Sequence, residues 1–229
     1  MAWPDGRLET RSSTYDPPPD EGLDIRYLDG DLLVVDKPTG LLSVPGRGPG
    51  KRDCLSARVQ ARFAETLPVH RLDLGTSGLL VLARGPEMHR ALNRLFATRR
   101  VEKRYVALVA GRMEASEQVI DLPVIADWPN RPLQMVDHAI GKPSRTRLRV
   151  VGHEPWLDAT RVDLFPETGR SHQLRVHLQA IGHPILGDEF YAPPEAFARA
   201  TRLLLHATVL AFRHPSTATA LRVESPAPF

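Results

Sequence analysis

Short runs of consecutive apolar residues constrain the fold of this chain more than any other feature of its sequence. Residues 32–35 and 79–83 are apolar at every position, and residues 203–212 are nearly so. Runs of this length that do not alternate indicate strands covered on both faces. Lys37-Pro38 and Gly40 follow the first run and predict a turn. The chain is therefore expected to fold around a buried sheet.

Other segments predict helices or partly covered strands. Residues 55–63 predict a short helix, and residues 86–100 predict a second, whose apolar residues share one face behind Pro86. A third helix is predicted with Ser171 as its N-cap and Gly182 at its end. Residues 105–110 predict a strand covered on both faces, and residues 160–165 predict a half-buried one. The run at 203–212 is predicted to be the last core strand.

The order of these elements predicts the fold class. Strands outnumber helices and do not alternate regularly with them, so an α+β fold around a mixed sheet is favoured over a doubly wound parallel one. Residues 1–22 contain Pro4 and Pro17 to Pro19 with few apolar residues, and predict a mobile leader. Because composition does not change after residue 24, we predict one catalytic domain over residues 23–229.

Composition excludes several classes of protein. The 229 residues are 42% hydrophobic and 25% charged, as in a globular protein, and contain no apolar run long enough for a membrane span and no secretory signal. Cys54 is the single cysteine, which excludes an internal disulfide and fits a reducing cytoplasm. Of 30 basic residues 26 are arginines. This supports nucleic-acid binding weakly, because a GC-rich genome explains it equally well.

The sequence does not match three familiar motifs. A phosphate loop would need glycine where Pro45 stands and Ser or Thr where Arg52 stands. His172 and His177 are five residues apart, not the four that align two ligands on a helix, so no metal site is predicted. Leu72 separates Arg71 from Asp73, unlike the kinase catalytic loop.

The segment of residues 69–78 combines charges, hydroxyls and two glycines ahead of an apolar strand. From composition alone two interpretations stay open. Asp73 and Thr76 could cap backbone amides in a tight turn. Alternatively, Asp73 beside Arg71 stays ionised at neutral pH and acts as a nucleophile or base.

His70-Arg71-Leu72-Asp73, followed by Thr76-Ser77-Gly78, resembles the active-site motif of the RluA family of pseudouridine synthases. Residues 34–43, 103–108 and 168–177 with 182–188 resemble further motifs of this family, in the family's order. Residues 127–132 and 141–143 resemble its short, dual-specificity branch. The resemblance runs from about residue 24 to the end. It includes no S4-type RNA-binding domain, which the Pro-rich leader is too short to form.

The resemblance implies a pseudouridine synthase fold: a mixed, mostly antiparallel sheet flanked by helices and loops, with an active-site cleft along the sheet. It implies Asp73 as the catalytic carboxylate, with Tyr105 stacking on the target base and helping to remove the C5 proton, and Arg175 pairing with Asp73. The residues expected to contact RNA or assist base flipping are Arg71, His70, Thr76, Lys37, Arg170 and His172. No cofactor is expected.

The implied partners are stem-loops of transfer RNA, of 23S ribosomal RNA, or of both, with no membrane and no protein partner; a monomer is expected. Whether Asp73 attacks C1′, attacks C6 or removes a proton stays open. One alternative is a non-catalytic RNA-binding or ribosome-assembly factor on the same fold. Another is a glycoside hydrolase that uses Asp121 or Asp127 as a second carboxylate.

Overall fold

A computed structural model describes residues 15–48 and 50–229. Most of its strands belong to one large sheet, and its helices are short. The strands are β1 (Asp24–Leu28), β2 (Leu32–Lys37), β3 (Thr66–Pro68), β4 (Ser77–Arg84), β5 (Glu102–Ala110), β6 (Glu117–Asp121), β7 (Val124–Ala126), β8 (Gln134–Val136), β9 (Arg145–Glu154), β10 (Ala159–Pro166), β11 (Leu205–Arg213) and β12 (Ala220–Glu224). The helices are α1 (Leu55–Arg62), α2 (Pro86–Ala97), α3 (Gln173–Ala180) and α4 (Pro194–Phe197), with a 3₁₀ turn at Pro155–Leu157.

The large sheet has ten strands in the order β1-β2-β4-β11-β5-β10-β9-β6, with β3 added to β4 and β12 added to β11. Among the strand pairs of the described ranges, β4 and β11 alone run parallel. β7 and β8 form a separate hairpin. The predicted α+β class with a mixed, mostly antiparallel sheet is confirmed.

The parallel contact between β4 and β11 depends on Gly78. Its φ is +111°, and a Cβ there would lie 2.3 Å from the carbonyl oxygen of Ala207 and 2.5 Å from its amide nitrogen. Only glycine permits this backbone to approach so closely. The glycine of the Thr76-Ser77-Gly78 motif therefore joins the segment of Asp73 to the middle of the sheet.

The apolar runs occupy the buried strands as predicted. β2 and β4 are covered on one face by α2, through Met88 and Leu92, and on the other by α1, through Leu55 and Val59. A third cluster packs α3 against β5 and β10. The helix predictions for 55–63 and 86–100 are confirmed, with α2 ending at Ala97.

Several local predictions were wrong. Ser171 does not cap α3: the helix begins at Gln173, and His172 precedes it with φ +53°. Instead, the Gln173 side chain accepts hydrogen bonds from the Arg170 amide and the Thr168 hydroxyl, which closes a turn ahead of the helix. β10 alternates as predicted except at Asp163, which is buried on the partly exposed side and paired with Arg149. β11 is followed by another strand, β12.

The predicted leader lies partly outside the described residues, which begin at Tyr15. The Tyr15 hydroxyl donates to the Asp53 carbonyl (2.9 Å) and accepts from the Leu42 amide (3.0 Å). Arg58 donates to the carbonyls of Pro18 and Pro19. Residues 15–22 therefore lie against the domain; the mobility of the leader and the boundary at residue 22 stay predictions. None of the helices between residues 15 and 229 that the structure describes has the length and hydropathy of a membrane span.

Candidate active site

A pocket opens between residues 69–76, which we name the Asp73 loop, the start of β5 and the N-terminal end of α3. Polar and charged side chains from all three elements line it: Arg71, Asp73, Thr76, Lys103, Tyr105, Arg170, His172, Gln173 and Arg175. The structure thus brings together most of the residues that the sequence predicts for the site. Lys37 and His70 are absent from the pocket lining.

The Asp73 loop is held from below by residues 37–43, which we name the clamp segment. The Ser43 hydroxyl donates to the Leu72 carbonyl (2.7 Å) and accepts from the Leu72 amide (3.0 Å). Thr39 donates to the Gly75 carbonyl (2.7 Å), and the Gly40 amide to the Leu74 carbonyl (2.9 Å). These bonds fix the backbone on both sides of Asp73, so a loop acquires the rigidity that a site needs.

Lys37 belongs to this clamp and is fully buried, which does not agree with its predicted contact to RNA. Its Nζ donates to the carbonyls of Leu41 (2.7 Å), Pro38 (2.9 Å) and Leu74 (3.2 Å). Burial lowers the pKa of Lys37 to about 7, and the negative charge of Asp73 opposes that shift. The three carbonyls match the three N–H donors of the ammonium form.

His70 also supports the loop from behind. Its Nε2 accepts the Val81 amide at 3.1 Å, and its ring stacks on Phe96 with centroids 4.8 Å apart. Burial lowers the pKa of His70 to about 3, and the charge of Lys103 adds to the shift, so the imidazole is neutral at neutral pH. The structure places this histidine between the sheet and α2 rather than where the predicted contact with substrate would need it.

Asp73 faces a buried arginine. Arg175 Nη1 lies 3.4 Å from Asp73 Oδ2, while Nε and Nη2 of the same guanidinium bind Asp188 at 2.8 and 2.6 Å. Burial lowers the pKa of Arg175, but the hydrogen bonds and charge of Asp188, together with the charge of Asp73, outweigh burial and leave the pKa above its ordinary value. The guanidinium is therefore a permanent cation beside Asp73, aimed by a fully buried carboxylate.

A second chain of contacts reaches Asp73 through His172. His172 Nε2 lies 3.9 Å from Asp73 Oδ2, and its Nδ1 lies 2.7 Å from the Tyr191 hydroxyl. That hydroxyl accepts the Gln134 amide at 2.9 Å, so its own proton is available to Nδ1. The network then places the imidazole proton on Nε2, facing Asp73. Burial lowers the pKa of His172, which favours this neutral form.

Tyr105 forms part of the pocket wall. It sits on β5, paired with Leu164 of β10 and Ala207 of β11, and packs against two of the core clusters. Burial raises the pKa of the Tyr105 hydroxyl, and the charge of Asp73 raises it further. The side chain is thus a neutral phenol at neutral pH, and its ring is held rigidly by the sheet.

Arg71 and Arg170 are exposed at the mouth of the pocket, one on each side, whereas Thr76 is buried in its wall. The Thr76 amide donates to the Asp73 carbonyl at 3.1 Å, so a turn forms at Asp73 through main-chain groups rather than through the side-chain caps that the sequence allowed. The turn and the pocket therefore coexist at this residue.

Behind the loop, hydrogen bonds connect four strands or their flanks. Arg202 donates to the Ser77 hydroxyl, and Ser77 lies 2.8 Å from His206 Nδ1. His206 Nε2 lies 3.2 Å from the Ser225 hydroxyl, which donates to Asp36. When the proton of the His206 imidazole is on Nε2, each group in this series of hydrogen bonds donates to the next. The chain links the end of the Asp73 loop to β2, β11 and the segment after β12.

Sequence reasoning assigned no role to Asp188, Tyr191 or Gln173. Asp188 ends the stretch 182–188 that resembles a family motif, so a signal for it was available. Tyr191 lies in an irregular segment, and its contacts with His172 and Gln134 are visible only in three dimensions. Within residues 15–48 and 50–229, no group of three His, Cys, Asp or Glu side chains is arranged as metal ligands.

Comparison with known proteins agrees with this site. Residues 31–180 match the family model described as RNA pseudouridylate synthase. This chain belongs to that family. It is 48% identical over 215 residues to the dual-specificity RNA pseudouridine synthase RluA of Escherichia coli (strain K12), covering 94% of this chain and 98% of the relative. It is 50% identical over 206 residues to the Vibrio vulnificus protein of the same name, covering 89% and 82%.

Two solved structures of this RNA pseudouridylate synthase family share the fold. Human RNA pseudouridylate synthase domain containing 1 superposes with a TM-score of 0.78 at 32% identity, covering 93% of this chain and 87% of that one. Human RNA pseudouridylate synthase domain containing 4 gives 0.71 at 26% identity, covering 89% and 88%. The predicted membership of the RluA family and the isomerase class are confirmed.

Proposed function

We propose that this pseudouridine synthase isomerises a loop uridine of RNA with Asp73 as its catalytic carboxylate, and that it shares the dual specificity named for its relatives. The observation that carries the assignment is the pair of Asp73 and Arg175, 3.4 Å apart on the wall of a pocket. A carboxylate beside a permanent cation, partly open to the pocket, suits a nucleophile or base.

The reaction moves one bond within a single nucleoside. The bond from ribose C1′ to uracil N1 breaks, the base rotates, C1′ joins C5, and the C5 proton is transferred to N1 by way of solvent or an enzyme group. Nothing is gained or lost overall, so the proposal includes no cofactor. Asp73 serves it by attacking C1′, by attacking C6, or by removing a proton from the ribose; all three routes need a carboxylate of fixed position.

The neighbours of Asp73 have distinct roles in this proposal. The neutral Tyr105 ring stacks under the uracil and limits its rotation. Because burial raises the pKa of Tyr105, the phenol is poorly suited to remove the C5 proton by itself. His172 Nε2 lies 3.9 Å from Asp73 Oδ2, and its N–H can orient the carboxylate through water or substrate.

The pocket suits a nucleotide that has left the base stack. Extrusion from a duplex costs a few kcal/mol and less from a loop, so stem-loops of transfer RNA and 23S ribosomal RNA are the proposed substrates. Exposed Arg71 and Arg170 border the mouth, where they can replace the extruded base or bind phosphate. We propose further that the chain acts as a monomer in the cytoplasm.

The test compares Asp73→Asn with Asp121→Asn, a matched change at an exposed carboxylate of β6. Both proteins are incubated with anticodon and ribosomal stem-loops, and pseudouridine is mapped by carbodiimide treatment and primer extension. Asp73→Asn is expected to form no product while keeping RNA affinity, and Asp121→Asn to behave as wild type.

Turnover by Asp73→Asn would reject Asp73 as the catalytic group. A folded wild type that modifies no RNA, together with rescue of a deletion strain by Asp73→Asn, would instead support the non-catalytic RNA-binding factor. Release of free base or sugar by the wild type, lost in Asp121→Asn, would revive the two-carboxylate hydrolase.

A further inference from the structure

The hairpin of β7 and β8 carries an exposed aromatic side chain that contributes to none of the core clusters. Trp128 lies in its turn and is 64% exposed. The Arg131 guanidinium lies over the indole, 3.8 Å from the ring centroid. Because this contact covers one face, the exposed area of Trp128 belongs to its other face and its edges. Met135 and Ile140, close in the chain, are exposed as well.

The same hairpin is tied to the wall of the pocket. Gln134, the first residue of β8, donates its amide to the Tyr191 hydroxyl, which contacts His172 beside Asp73. At the base of the hairpin, His177 of α3 contacts the Leu122 carbonyl (2.9 Å). Gln134 pairs with Ala126, and Trp128 follows Ala126 by two residues, a span of at most about 7 Å. Trp128 is therefore close to Gln134, from which hydrogen bonds lead through Tyr191 to His172 in the pocket wall.

We propose that Trp128, ordered by Arg131, is a stacking platform for one unpaired RNA base a few nucleotides from the target uridine. The inference rests on the proposed function, and it names a contact that lies outside the catalytic pocket. A planar indole with a free face binds any unpaired base, and a guanidinium stacked behind it adds positive charge against the phosphates. A duplex offers no such base, so the platform would favour loops over stems.

The experiment measures Kd, KM and kcat for a stem-loop substrate with Trp128→Ala and Trp128→Phe. Trp156→Ala is the matched control, because Trp156 is 85% exposed in the 3₁₀ turn ahead of β10. The length of β10 separates that turn from Pro166, which lines the pocket. At the rise per residue of a strand, this length is roughly 25 Å. We expect Trp128→Ala to raise Kd and KM about ten-fold with kcat within about two-fold of wild type. Trp128→Phe should keep most of the affinity, and Trp156→Ala all of it.

A scan of abasic positions across the loop identifies the base concerned. In the wild type, one abasic position besides the target should weaken binding about as much as Trp128→Ala does, and the two losses should not add. Unchanged affinity of Trp128→Ala, or losses that add at every position, would overturn the platform. So would normal affinity in vitro with lost modification in cells, because that indicates a protein partner. Absence of product from the wild type would count against the proposed function instead.

Discussion

On one wall of the pocket, the Asp73 loop is held through its backbone by neutral side chains and a buried ammonium group of the clamp segment. On the other wall, α3 presents charged side chains that are held by other side chains, Arg175 by Asp188 and His172 by Tyr191. The first arrangement fixes where a carboxylate stands. The second sets the charge and proton placement around it. Damage to each wall should therefore have a different signature.

Arg175→Met breaks the α3 wall and should have the largest effect. It leaves the fully buried Asp188 unpaired, which costs about 3–5 kcal/mol of unfolding free energy, and removes the cation beside Asp73. Urea unfolding measures the first effect and single-turnover rates the second, expected to fall by about a hundred-fold. Adding Asp188→Leu should recover stability but not activity. Recovery of activity in the double variant would show that charge beside Asp73 is unimportant.

Lys37→Met tests the loop wall. Because the carbonyls of Pro38 and Leu41 lose their donor and that of Leu74 keeps only the Gly40 amide, the free energy of unfolding should fall by about 3 kcal/mol, while the Kd for RNA stays unchanged. Lys103→Met, at a lysine that lines the pocket, is the control and should show the reverse pattern. A weaker Kd for Lys37→Met at unchanged stability would restore Lys37 as an RNA contact.

The pH dependence of stability in His70→Asn distinguishes a structural role of His70 from a contact with substrate. The unfolded chain binds a proton at His70 near its ordinary pKa of 6.5, whereas the folded protein binds it only near the pKa of about 3. As pH falls through this window the unfolded state takes up more protons, so His70 stabilises the fold above pH 6.5 and this contribution is lost below it. The stability difference between wild type and variant, measured by denaturation at about pH 7.5 and about pH 5, should shrink at the lower pH. A difference that does not change with pH would contradict a neutral, buried His70.

Substitution of the exposed arginines at the mouth should have the smallest effect on RNA binding. This effect should be the same on the two walls. Arg71→Ala and Arg170→Ala are each expected to lower the slope of log Kd against log salt by about one, if each meets one phosphate. Arg90→Ala, on the exposed side of α2, should leave the slope unchanged. A difference in slope confined to one wall would show that the RNA backbone follows that wall alone.

The sequence predicted best the elements that are buried on both faces. β2 and β4 each contain an uninterrupted run of four or five apolar residues, which is too short for a buried helix. β9 was missed because its outward positions are arginines, and Thr146 and Leu148 alone give little apolar signal. β12 has only five residues, of which Val223 alone is buried, so its apolar signal is weak.

At the site, Asp73, Tyr105 and Arg175 line one pocket, as the resemblance implied. Whether a charged side chain is buried depends on the tertiary structure, and nothing in the sequence distinguishes Lys37 from a lysine at the surface. The same holds for His70. Its place beside Arg71 predicted a contact with substrate, whereas its ring packs on Phe96 from a different element. Asp188 and Tyr191 act through partners 13 and 19 residues away in sequence.

The contact of Gly78 with β11 also orders events during protein synthesis. Ser77 and its partner His206 are 129 residues apart, so the end of the Asp73 loop, unlike the part held by the clamp segment, lacks this contact until β11 has left the ribosome. A nascent chain that carries the whole His70-to-Gly78 motif still lacks the strand against which it is seated. The Asp73 loop can therefore reach its final position against the sheet only after most of the polypeptide has been made.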